Sequence, residues 1–206
     1  MQRPFAGFTT RSLLACVVLG AFTAAFVHLS RVFGVLLWST APWLGAPAPF
    51  IPWFLTIILA GILIPRFGSA LITSLIGAVV GIGSMAFVAG IVAEIVFTVA
   101  RAQQRRRGTE SAPAGDRRWL VWSIVAGIAI GLVSYGMMFT VAEFRLLSSD
   151  LMLLALGIRL VAGAAWGVIA YLLAKALLRA GLNLEGTRWR RPATASSTSD
   201  FPGEPI

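Results

Sequence analysis

The distribution of charge constrains this chain more than any other feature. Long stretches carry no Asp, Glu, Lys or Arg, and short stretches between them hold nearly all of these residues. Residues 119–142 form one such uncharged run. In hydrocarbon a backbone must satisfy its own N–H and C=O groups, which leaves α-helices and closed barrels. Barrel strands alternate in polarity over about ten residues. These runs are apolar on every face and therefore predict helices. Charged residues make up 12% of the 206 and mean hydropathy is +0.86, whereas a soluble domain is about a quarter charged. The fold class expected is an all-α integral membrane bundle.

A net charge of +9 on a soluble chain would suggest nucleic acid. Here the arginines flank apolar runs, which is the topology signal of a membrane protein, so no nucleic-acid partner is expected. Cys16 is the sole cysteine and lies inside the first apolar run, which excludes a disulfide framework and a cysteine-based metal site. No P-loop is present. His28 stands alone, without partners at metal-ligand spacing. No metal, cofactor or catalytic residue is therefore expected, and the chain reads as a non-enzyme.

Six spans are predicted, at about 12–36, 52–64, 69–81, 83–100, 119–142 and 151–178. They form a membrane domain over 12–184, preceded by a short N-terminus (1–11) and followed by a Ser/Thr/Pro-rich tail (185–206) that reads as disordered. Residues 69–100 as one helix would be about 48 Å long against a hydrocarbon core of about 30 Å. They are therefore divided near Gly81-Ile82-Gly83 into two short helices. The stretch 101–118 reads as a charged loop. With six spans, Arg3, Arg11, Arg66, Arg101, Arg117, Arg118, Lys175 and Arg179 share one side, while Arg31 and Arg145 lie opposite. The positive-inside rule makes the first side cytoplasmic, so both termini are expected there, in a plasma-membrane protein.

Two ionisable residues lie inside spans, Glu94 and Arg159. Their depths differ by about 7 Å on helical rise, which two long side chains can bridge. Each would be costly facing lipid, about 2.5–3.5 kcal/mol. They are either substrate contacts or a structural ion pair. Trp38, Trp43 and Trp53 cluster around the first loop, with Phe50 and Phe54. They form either an interfacial belt or an aromatic wall for a flat heterocycle. Trp166 is two helical turns from Arg159 and shares its face. Small residues recur at four-residue spacing, Gly20/Ala24 and Ala21/Ala25 in the first span, then Gly127/Gly131 and Gly163/Gly167. Such stripes let helices approach closely, within this bundle or against a partner subunit.

Four short stretches, in order, carry a resemblance: Pro52-Trp53-Phe54, Pro65-Arg66-Phe67-Gly68-Ser69-Ala70-Leu71, Ala93-Glu94-Ile95-Val96-Phe97 and Ile158-Arg159-Leu160-Val161-Ala162-Gly163. The ending Ala180-Gly181-Leu182-Asn183-Leu184 adds a fifth. With these the chain resembles the substrate-binding S-components of energy-coupling factor (ECF) vitamin transporters, of the YkoE type associated with thiamine and hydroxymethylpyrimidine. The resemblance implies a six-helix S-component that captures a vitamin from outside. Its partners would be a transmembrane coupling subunit and two ATPase subunits. The first helix, through Gly20, Ala21, Ala24 and Ala25, would meet the coupling subunit. The residues expected at the substrate are Trp53, Glu94 and Arg159, with Trp38, Trp43 and Trp166 as further aromatic candidates. The rival expectation is a non-transporting membrane scaffold in which Glu94 and Arg159 are only structural.

Overall fold

The computed structural model describes residues 8–38, 41, 44, 48–81, 83–106 and 117–182. Among them there are seven helices and no strand: α1 (Thr10–Trp38), α2 (Leu55–Leu63), α3 (Ser69–Gly81), α4 (Ser84–Arg106), α5 (Arg117–Met138), α6 (Ala142–Arg145) and α7 (Ser149–Arg179). The all-helical expectation holds for them. Four helices, α1, α4, α5 and α7, are long and apolar enough to cross a membrane, and the 13-residue α3 is a shorter apolar helix. The chain is a membrane protein on that ground.

Helix boundaries follow local chemistry. Thr9 caps α1, its Oγ1 accepting the Ser12 N–H at 3.2 Å. Pro65 lacks an N–H and forces the preceding residue out of helical geometry, so α2 ends at Leu63 with Ile64 at φ −120°. Gly68, at φ 91°, completes the turn into α3. Gly83 donates its N–H to Ala78 O at 3.0 Å where α3 gives way to α4. The end of α7 is a Schellman motif: Leu182 N–H bonds Leu177 O, Gly181 N–H bonds Leu178 O, and Gly181 has φ 90°.

Two boundaries differ from expectation. Helix α4 runs on to Arg106 and α5 opens at Arg117, so both edges of the charged stretch 101–118 are helical. Arg, Ala and Gln are good helix formers, and water satisfies them outside lipid. Helix α4 is therefore long, at 23 residues. Helix α5 ends at Met138, before residue 142, and the one-turn α6 fills the corner before α7.

Helices α1 and α3 run parallel. Gly20 packs on Thr73 and Ile76, and further along Gly81 packs on Ala24. Helix α4 runs antiparallel to α3, with Gly90 against Ser74. The α5–α7 pair is also antiparallel and closely packed. A Cβ on Gly127 would run into the Gly163 carbonyl, one on Gly167 into the Ser123 carbonyl, and one on Gly131 would stand 2.6 Å from the Arg159 carbonyl. Helix α2 touches α1, α3, α4, α5 and α7, and each of its residues from Leu55 to Leu63 is buried. A hydroxyl pair ties it to α1, Thr23 Oγ1 to Thr56 Oγ1 at 2.6 Å. Gly61 lies against the Phe97 ring of α4, which itself packs on Trp119 of α5.

The direction of each helix sorts their ends. The starts of α1, α3 and α5 and the finishes of α2, α4 and α7 share one end, called here the Arg66 end. A second apolar cluster, Met138, Phe144 and Ala155, closes the opposite end at the α5–α6–α7 corner. There the rings of Tyr135, Phe139 and Phe144 meet edge to face at 5.3–5.8 Å.

Backbone contact at the α5–α7 crossing leaves no room for a side chain. Gly127→Val should therefore lower the melting temperature in detergent sharply, at a cost of about 3 kcal/mol or more, by overpacking. Gly157→Ala, with open space around its Cβ, should melt at or slightly above wild type, since alanine is the better helix former by about 1 kcal/mol. Equal melting of the two variants would contradict the packing described.

Candidate substrate site

The bundle is irregular at one place within its depth. Helix α2 is only nine residues long, about 14 Å and half the hydrocarbon thickness. The chain leading into it, 48–54, therefore sits well inside the bundle. Neighbouring helices hold it there: Ser30 Oγ accepts the Ala48 N–H at 2.8 Å, and Trp166 Nε1, near the middle of α7, donates to Pro49 O at 3.2 Å. Ala48, Pro49, Ile51, Trp53 and Phe54 are buried. Trp53 meets Phe54 edge to face at 5.1 Å. Non-helical backbone at membrane depth is tolerated where protein buries it or where it lines a cavity. Such breaks serve as binding sites in membrane carriers.

Arg159 lies two turns from Trp166 toward the start of α7 and is 3% exposed. It points into the α5 interface, where Nη1 donates to Ser134 Oγ at 2.8 Å and Nη2 contacts Met138 Sδ. The neighbouring Gly131, lacking a side chain, lets α5 come close to the Arg159 backbone. The aromatic corner of Tyr135, Phe139 and Phe144 adjoins Met138.

Glu94 is elsewhere, toward the Arg66 end. Its Oε2 accepts the Ala70 N–H at 3.1 Å, in the first turn of α3, where the helix dipole favours negative charge. Its Oε1 forms an ion pair with Arg101. Arg101 also donates through Nη1 to Arg66 O at 2.8 Å. One carboxylate and one guanidinium thus fasten α4 to the start of α3 and to the turn after α2. The ion pair between Glu94 and Arg159, one of the two expectations, is not formed. The depth reckoning allowed it, but Arg101 is two helical turns from Glu94 on the same face, while Arg159 faces α5.

Among the aromatic candidates, the structure brings Trp53 and Trp166 to the same irregular segment. Trp38 is half-buried at the last turn of α1, and Trp43 lies outside the described residues. The stripes on α1 divide. Gly20 and Ala24 are buried against α3, while Ala21 and Ala25 are exposed on the outer face. Sequence reasoning missed Arg101 as the partner of Glu94, although their seven-residue spacing was legible. It also missed Ser134, Met138 and the Pro49 carbonyl, which only tertiary packing brings to Arg159 and Trp166.

Removing one member of a buried pair costs more than removing both. Arg101→Ala should therefore destabilise the protein by about 3–5 kcal/mol, leaving a buried carboxylate with only the Ala70 N–H. Glu94→Gln should cost less, and the double variant should recover part of the Arg101→Ala loss. Additive losses in a double-mutant cycle, read from detergent melting curves, would show that the pair carries no coupling.

No protein-family model matches the chain, and no curated protein matches it. A solved structure does: the "Crystal structure of an S-component of ECF transporter" superposes with a TM-score of 0.70 over 87% of this chain and 90% of that one, at 23% sequence identity. The chain has the fold of an ECF-transporter S-component.

Proposed function

We propose that the chain is the substrate-binding membrane subunit of an ECF-type importer, working with a transmembrane coupling subunit and two ATPase subunits. The observation that carries this reading is the near full-length match in fold to an S-component. The irregular segment 48–54, held inside the bundle by Ser30 and Trp166, supports it further. On this reading α1, α3, α4, α5 and α7 are spans and α2 completes a sixth crossing together with the segment 48–54 that leads into it, so the positive-inside rule puts the Arg66 end and both termini in the cytoplasm. The exposed Ala21 and Ala25 belong to the surface of α1 that meets the coupling subunit, while Gly20 and Ala24 are spent on α3.

The substrate proposed is a small vitamin or precursor, with thiamine and hydroxymethylpyrimidine first to be tried. Trp53 and Trp166 supply the apolar, stacking part of its site and Arg159 the polar part, with Trp38 at the rim. We assign Glu94 to holding helices together, because its carboxylate is engaged by Arg101 and Ala70. That favours the uncharged pyrimidine over the thiamine cation, which calls for a carboxylate of its own.

A thermal-shift panel of vitamins and pyrimidines on the detergent-purified protein tests the reading, together with co-purification of a coupling subunit encoded nearby. Binding of one compound is expected, weakened about tenfold by Trp166→Phe, which removes a hydrogen bond and part of a ring face. Glu94→Gln should leave the affinity unchanged. A chain that shifts with no ligand and retains no coupling subunit would instead be a membrane scaffold.

A further inference from the structure

Helix direction gathers six exposed cations among the described residues at one end. Arg11 opens α1, Arg105 and Arg106 close α4, Arg117 and Arg118 open α5, and Arg179 closes α7. All six are exposed. Among the described residues the carboxylate at this end is Glu94, and Arg101 holds it. The opposite end is balanced, with Arg31 and Arg145 set against Glu143 and Asp150. The positive charge therefore forms a belt on four helices at the perimeter and does not fill a single flat face.

What lies beside each cation matters as much as the charge. Leu14 is three positions from Arg11, Val121 four from Arg117, Val99 seven from Arg106, and Leu172 seven from Arg179. These are same-face helical spacings. The four apolar residues are between 45% and 63% exposed. On each of the four helices an arginine thus stands over an outward apolar face. A soluble acidic protein would match the charges and leave these faces unmet. A molecule with a phosphate above and an acyl chain below matches both.

We propose that this belt is a binding surface for anionic phospholipids, whose phosphate groups meet Arg105, Arg106 and Arg117 while their chains lie on the apolar faces of α4 and α5. The inference is independent of the transport reading and holds for any membrane protein with this structure.

The test is lipid retention by the full chain. Reconstituted in nanodiscs of mixed phosphatidylglycerol and phosphatidylcholine, it should enrich phosphatidylglycerol in its co-purified lipid. Replacing Arg105, Arg106 and Arg117 by glutamine should cut that enrichment on the order of tenfold, and raised salt should weaken it in wild type. Phosphatidylcholine retention should not change, and melting in neutral detergent should stay near wild type, which separates lipid binding from folding. Equal retention of both lipids by wild type would overturn the proposal. So would undiminished enrichment in the variant, or loss of enrichment only where the variant is unfolded. Selective capture of an acidic protein with no lipid preference would assign the belt to a protein partner and equally refute it.

Discussion

A nine-residue helix cannot cross a bilayer, and one that ends inside it must have its termini shielded from hydrocarbon. Helix α2 meets this constraint by having no outward face: α1, α3, α4, α5 and α7 all pack against it. Much of the rest follows from enclosing it. Gly61 admits the Phe97 ring, Thr56 takes the Thr23 hydroxyl, and the chain entering α2 is fastened by Ser30 and Trp166. Helices α1 and α7 keep many apolar residues on the outside because they form the wall around this short axis. Lipid supplies no hydrophobic drive between helices, so close glycine packing and these few hydrogen bonds hold the wall together.

The structure concentrates polar interactions at two levels. Toward the Arg66 end, Glu94 and Arg101 join three elements, using a helix start, a turn carbonyl and an ion pair. At the other level, Arg159 and Trp166 on one face of α7 reach α5 and the irregular segment. The first arrangement is fully engaged within the protein. The second surrounds a segment, 48–54, where backbone lies inside the bundle without helical bonding, and the ligand site is proposed there for that reason.

Uncharged runs and flanking arginines were enough to make the fold class legible, because hydrocarbon leaves so few backbone solutions. The break at Pro65 and the turn at Gly68 were equally plain, since proline and glycine act locally. Boundaries at charged stretches were not, as the extension of α4 through Arg101–Arg106 shows: water tolerates helix and loop alike there. For the site, residue types were visible but partners were not. Depth along a helix can be counted from sequence, whereas the direction each helix faces depends on its neighbours. Depths counted from sequence put Glu94 and Arg159 within reach of each other, whereas the bundle holds them at different levels and turns them toward different partners. The stripe on α1 posed the same problem, and only α3 showed which of its small residues are covered.

That the partner of Glu94 lies on its own helix bears on how the chain is made. A carboxylate paired across helices must enter the bilayer alone and wait for its counterpart to be synthesised. Glu94 and Arg101 are seven residues apart on α4, so they meet as soon as that helix has coiled. The segment is then delivered to the lipid already neutralised, long before α7 leaves the ribosome. Neutralising Glu94 therefore requires nothing from the half of the molecule that carries Arg159.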